Sequence, residues 1–425
     1  MCLGGREKKQ AKCELTYGRN IDDIPHLSII PLQKEVVCGC TGPNGGLTQL
    51  DLHSDEMQAE EVAGTQEWNT PNDFTYGLSL SLYEEDTTKR KVKIVNGVAQ
   101  SQPHIVGGPI ADVYGAVVRK NNTILAVADG CNWGKKPRLA ARCAVRTAIE
   151  FISEHIDHIN QNPTSTTLAE ILVKSLDEAH KCILQHHATL TTLSIAVVCQ
   201  LTLGKSAGKE QWGLFVASVG DSPVYAYCPH TQRLMEMTIG CHPHNGIRDM
   251  RTSGGALGPA IGTLPDLENL SISFMPVYND DIVILMSDGV SDNFSSNVIQ
   301  PLLPEEERMC IPPSPNTSDL RVHTGTPPQS TCCNNLTQLE AVLNRHHQEL
   351  QHNMSAQTIS ARLMNVTVEL TEAKRQFRSH CIEEDIDIRT KSREDPDFAE
   401  CVKQIPGKLD HATILTYQVG KNRFQ

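Results

Sequence analysis

The sequence predicts an α+β fold with helices layered on antiparallel strands. Short β-rich runs recur with turn signals between them, two amphipathic helices fall together between sets of strands, and a last β run follows near residue 413. A doubly wound parallel sheet would instead alternate strand and helix along the chain.

Residues 1–72 are mixed and weakly periodic, with a Gly-rich stretch at 39–46 and an acidic patch at 51–61, and read as a loosely structured arm. From residue 73 the pattern changes, and residues 76–83 alternate with period two, as a half-buried strand does. Residues 113–118 and 123–128 are two β-rich runs joined by Arg119-Lys120-Asn121-Asn122, a hairpin signal. Ala140, Ala144, Ala148, Ile152 and Ile156 then mark one face of a helix, and Leu168, Ile171, Leu172, Leu176, Ala179 and Ile183 mark a second. Strands return at 191–203, 212–219, 224–227 and 281–286. Residues 301–335 carry seven prolines among Ser, Thr and Asn and read as a disordered insertion. Helical spacing resumes at 336–346 and 356–373, a charged insertion covers 374–408, and 413–419 form the final strand. The expected organisation is an arm, 1–72, and one interrupted domain, 73–420.

Composition excludes several functions. The chain has 425 residues with 50 acidic and 38 basic side chains, a formal net charge of −12. An acidic balance argues against nucleic-acid or anionic-membrane binding. Aromatics at 4% argue against stacking platforms for single strands. Fifteen scattered cysteines without a signal-like opening read as reduced thiols, with a cytoplasmic or nuclear location expected. The longest mainly apolar run, 190–203, is too short and polar for a membrane span. Gly204-Lys205-Ser206 lacks the first glycine of a phosphate loop, where Cys199 stands. Cys38 with Cys40, and Cys332 with Cys333, lack a second ligand pair and read as free surface thiols.

Five aspartates share one context. Asp112 precedes the run from Val113, Asp129 ends the run to Ala128, Asp221 follows Val219-Gly220, Asp288 follows Met286-Ser287, and Asp410 precedes the last strand. Carboxylates beside a core are costly unless paired or bound to metal, and hard divalent cations such as Mg²⁺ or Mn²⁺ prefer such oxygens. Taken singly, each Asp-Gly is also ordinary turn chemistry.

In order, Val127-Ala128-Asp129-Gly130, Val219-Gly220-Asp221-Ser222, Met286-Ser287-Asp288-Gly289-Val290-Ser291-Asp292 and Asp410-His411-Ala412-Thr413 resemble the motifs of PPM-type (type 2C) metal-dependent protein Ser/Thr phosphatases. Thr191-Thr192-Leu193 and Gly255-Ala256-Leu257-Gly258 resemble two weaker signatures of that family. The resemblance implies a four-layer αββα sandwich, two antiparallel sheets flanked by helices, with two metal ions at one end. It implies that Asp129 bridges both ions, that the Gly130 carbonyl binds the first, and that Asp288 and Asp410 bind the second. Asp112 would hold metal-bound water and Asp221 a third, weaker ion. A phosphoprotein substrate and a monomeric state are expected with it. The departures are also specific: Cys131 stands at the usual His, Asn132 and Trp133 at the usual small glycines, Ala111 at the usual acid, Pro223 at the usual Arg, and His411 at the usual Asn. No residue near 104–110 clearly matches the family's phosphate-gripping Arg. Asp112, Asp129 and Cys131 are thus the catalytic candidates of a phosphatase, with an inactive pseudophosphatase acting as an interaction protein as the alternative.

Overall fold

The apolar runs become strands whose two faces are both buried, which is why they read as continuous rather than alternating. The computed structural model describes residues 15–43, 74–83, 85–95, 98–105, 109–202, 211–241, 252–295, 298, 332–349 and 354–421. In chain order its strands are β1 (Thr16–Gly18), β2 (Val36–Gly42), β3 (Thr75–Ser81), β4 (Glu85–Val95), β5 (Val98–Ile105), β6 (Val113–Arg119), β7 (Asn122–Ala128), β8 (Leu193–Gln200), β9 (Gln211–Val219), β10 (Val224–Cys228), β11 (Arg233–Glu236), β12 (Ala256–Ile261), β13 (Leu264–Asp266), β14 (Ser271–Tyr278), β15 (Ile282–Met286) and β16 (His411–Gln418). The helices are α1 (Lys135–Glu154), α2 (Ile156–Gln161), α3 (Ser165–Gln185), the single turn α4 (Asp288–Ser291), α5 (Cys332–Glu349), α6 (Ala356–Glu383), α7 (Ile388–Glu394) and α8 (Pro396–Gln404). No described helix is long and apolar enough to cross a membrane.

Two antiparallel sheets form the centre. One has the order β1-β14-β9-β8-β7-β6-β2 and the other β11-β10-β15-β16-β3, while β4 with β5 and β12 with β13 form separate hairpins. Side chains alternate between three apolar layers, as the period of two dictates. On β7, Ile124, Ala126 and Ala128 pack toward α1 and α3, whereas Leu125 and Val127 point between the sheets. On β15, Val283 and Leu285 meet them from the other sheet, and Ile282, Ile284 and Met286 pack toward α5 and α6 with Leu343, Ile359 and Leu363. Helix, sheet, sheet, helix is therefore the layer order, the sandwich expected above.

Residues 15–43 depart from the expected arm. β1 pairs with β14 and β2 with β6, so this segment supplies both edges of the larger sheet. Its connecting stretch buries Ile24, Ile29 and Leu32 beside α1 and α3. It is fastened by distant polar side chains: Ser165 Oγ accepts from Leu27 N at 2.8 Å, and Asn121 Oδ1 accepts from Gln33 N at 2.9 Å. Cys38 is accordingly buried between the sheets instead of on the surface. Residues 1–14, 44–72 and 301–331, with the rest of the arm and most of the Pro-rich insertion, lie outside the described residues.

The charged stretch 374–408 is largely helical. α6 runs ten residues past its expected end, and the acids expected to be solvated act partly as caps. Asp387 accepts from Arg389 N and Thr390 N, and Asp395 from Asp397 N and Phe398 N.

Leu125 lies between the sheets with no exposed surface, whereas Ile261 on β12 is 65% exposed. Leu125→Ala should lower unfolding free energy by about 2–5 kcal/mol, and Ile261→Ala should change it little. Urea denaturation of both variants checks the layer assignment.

Candidate functional site

Strand register brings the five aspartates to one end of the sandwich. Val113 pairs with Ala128, so Asp112 and Asp129, one step beyond each, stand side by side. Met286 pairs with Ile414, which places Asp288 and Asp410 together at the matching end of the smaller sheet. Asp221 follows β9, whose Val219 pairs with Leu193. At this end Asp129 is raised well above the usual carboxylate range by burial, then by Asp112, Asp288, Asp410 and Asp221.

Turn chemistry fixes these positions. Thr191 Oγ1 donates to Asp129 O at 2.8 Å, Thr192 N donates to the same oxygen at 2.9 Å, and Asp129 N donates to Thr192 Oγ1 at 3.0 Å. The weak Thr191-Thr192 signature thus serves to hold the Asp129 main chain. A Cβ at Gly130 would stand 2.5 Å from Pro137 O, so only glycine lets α1 approach this loop. Gly289 is tighter still, since a Cβ there would meet His411 O at 1.8 Å.

Asp112 is fully buried. Burial pushes its pKa up to about 6, with His411 and the Ser287 hydroxyl opposing and Asp410 and Asp288 adding to the shift. His411 Nδ1 accepts from Ala111 N at 3.2 Å, which fixes the ring beside Asp112. Asp410 is raised as well, by burial and then by Asp288, although Lys408 opposes this.

Two participants were not among the residues singled out from sequence. Asp292, fully buried, and Lys408 join the cluster: Lys408 Nζ donates to Asp288 Oδ2, lies 3.0 Å from Asp292 Oδ2 and 3.4 Å from Asp410 Oδ2. The four-residue step from Asp288 to Asp292 on a helical turn is the signal that carries Asp292, whereas Lys408 has no local signal.

Cys131 lines a cavity of about 650 Å³ together with Trp133, Lys135, Lys136, Thr189 and Pro259. Burial, followed by the charge of Asp221, pushes its thiol up to about 12, so it is protonated at neutral pH. Lys135 and Lys136 open α1, where the helix dipole adds to their charge. Trp133 is exposed and stacks edge-on against Tyr83 at 4.5 Å.

Away from the cleft, Cys143, Cys182 and His186 bring their ligand atoms within 4.8 Å of one another across the α1–α3 contact. A hydrogen bond with Cys143 is the main cause that draws the Cys182 thiol down to about 6. The Cys182 to His186 step of four on α3 was its sequence signal.

Residues 102–310 match the family model described as Protein phosphatase 2C. The PP2C-like domain-containing protein CG9801 of Drosophila melanogaster is 40% identical over 236 residues, covering 55% of this chain and 31% of that protein. The chain therefore spans about a third of the length of the curated relative it matches. Among solved structures, the PP2C phosphatase domain of the cell fate determinant SpoIIE from Bacillus subtilis aligns over 85% of this chain and 69% of its own, with 11% identity and a TM-score of 0.37. RsbX in complex with magnesium aligns over 82% of this chain and 97% of its own, with 12% identity and a TM-score of 0.35.

An acid whose folded-state pKa is raised binds its proton more tightly when folded, so its contribution to stability falls as pH rises from about 4 through about 6. In chelator-treated protein, Asp112→Asn should therefore melt higher than wild type at pH 7.5, with the gap closing toward pH 5. A constant gap across that range, measured by thermal melting, would show that Asp112 is not held under this strain.

Proposed function

We propose, from the premise that the chain is a PPM-type phosphatase-like protein, that it hydrolyses phosphoserine or phosphothreonine in a partner protein with the help of a divalent cation. The observation that carries this reading is Asp112: a fully buried carboxylate beside Asp129, raised by burial, Asp410 and Asp288 and eased only in part by His411 and the Ser287 hydroxyl, is costly unless a cation accompanies it. Asp129, the Gly130 carbonyl and Asp112 fit a hard ion such as Mg²⁺ or Mn²⁺. Such an ion, when bound, supplies Lewis acidity toward the phosphoryl oxygens and activates water as nucleophile. A second ion would have to enter between Asp288 and Asp410, where an ammonium stands, and a third would go to Asp221.

The chain's own side chains would do the rest. Lys135 and Lys136, at the mouth of the Cys131 cavity, draw the phosphate toward the cleft and take the part of an arginine clamp. Cys131, protonated at neutral pH, would donate its proton to the leaving serine or threonine oxygen, more weakly than an imidazolium would. Free thiols at all ten fully described cysteines agree with a reducing cytoplasmic or nuclear setting. In this reading the protein acts as a monomer.

The second reading, a non-catalytic interaction protein, is favoured by the same ammonium, which neutralises part of the acid cluster without any metal. Release of phosphate from a small aryl phosphate separates the two. The hydrolase reading expects Mn²⁺-dependent turnover that falls about 100-fold or more in Asp129→Ala. Wild type as inert as Asp129→Ala would leave the interaction reading. Lys136→Glu should raise KM more than it lowers kcat if the lysines receive the phosphate.

A further inference from the structure

The lysine in the cleft is built in, not a surface side chain that happens to reach an acid. We propose that the Lys408 ammonium is a tethered cation standing in for one divalent ion, so that its removal opens one additional metal site. The inference rests on the cleft being a cation site, as proposed above.

Burial is the first support. Lys408 and Asp288 are 18% and 13% exposed at their side chains and Asp292 not at all, so these are not screened surface pairs. Three carboxylates, Asp288, Asp292 and Asp410, surround the one Nζ.

The second support is how the backbone carrying the lysine is held. Asn293 clamps it from both sides, accepting from Lys408 N at 2.7 Å and donating to Lys408 O at 3.0 Å, while also donating to Gly289 O at 2.7 Å. Asn293 thereby ties the lysine to the Asp288-Gly289 turn it neutralises. Tyr83 donates to Leu409 O, and Lys374 Nζ donates to Gly407 O at 2.7 Å. Gly407 has φ of +105°, a conformation that strains any other residue.

Spacing is the third support. Two oxygens on one Mg²⁺, at 2.0–2.1 Å each, lie no more than about 4.2 Å apart. Oxygens of Asp292 and Asp410 lie 3.0 and 3.4 Å from the Nζ that Asp288 also contacts, well beyond a Mg²⁺–oxygen distance. They are spread around an ammonium, whose hydrogen bonds are longer, instead of drawn in around a small ion. One charge in place of two also leaves the acids at Asp112 and Asp129 uncompensated, which keeps a demand for a cation at that end alone.

The test counts ions. Mn²⁺ bound per chain is measured by equilibrium dialysis and metal analysis for wild type, Lys408→Ala and Lys408→Arg, at equal free Mn²⁺. The inference expects Lys408→Ala to hold one ion more than wild type, and Lys408→Arg to match wild type. Equal counts for Lys408→Ala and wild type would overturn it. A wild type holding no ion beside a variant holding one would sink the metal-dependent hydrolase and leave the tethered cation standing. Lys408→Ala leaves buried acids unpaired, so folding is followed in parallel by circular dichroism with chelator and then with Mn²⁺. Recovery of the fold, or a melting shift larger than the wild-type shift, on adding Mn²⁺ supports the inference. If Lys408→Ala does not respond and the double variant Lys408→Ala, Asp292→Asn folds without taking an additional ion, the inference is wrong.

Discussion

Like charges drawn to one end of a water-poor sandwich repel, and most of what surrounds the cleft answers that repulsion. Asp112, Asp129 and Asp410 are all raised, by burial first and then by neighbouring acids, with Asp288 among those acids in each case. The protein meets this with a protonated thiol at Cys131, a clamped lysine at 408, an imidazole at 411 and glycines at 130 and 289 that let neighbouring backbone close around the acids. In the sheets themselves, burial of Leu125, Val216 and Leu285 between the layers is the main contribution.

The same division explains what the sequence showed and what it concealed. Strands buried on both faces leave runs such as 123–128 and 282–286, and α1 and α3 leave apolar faces at helical spacing, so the layers could be read directly. The aspartates were visible because each sits at a run's edge. β2 was missed because Gly39 and Gly42 break its pattern and its partner, β6, is over seventy residues away. Pairing of that range, together with the amide bonds of Asn121 and Asn160 that fasten residues 31–33, has no local signature. Lys408 was concealed by its company: among the charges of 374–408, nothing local distinguishes the one that turns inward.

The departures from the phosphatase motifs are chemically related. Substituting His by Cys131 replaces a group that changes charge near neutral pH with one that stays neutral, and Lys408 adds a charge that does not depend on any bound ion. Both make the cleft's charge state less responsive to its surroundings. Lys135 and Lys136 line the same cavity as Cys131, so positive charge is kept beside the altered position.

The position of β16 carries a consequence for how the chain is made. This strand lies between β15 and β3 in the smaller sheet, and it is nearly the last described segment to be synthesised. Until it leaves the ribosome, β3 has no neighbour in its sheet, and Leu415 and Tyr417 are missing from the layer between the sheets. A nascent chain must therefore wait with an apolar surface partly bare and five acids of the cleft already made before the lysine and Asp410 arrive. A chain stopped before residue 408 would lack β16, and with it the strand that joins β3 to β15.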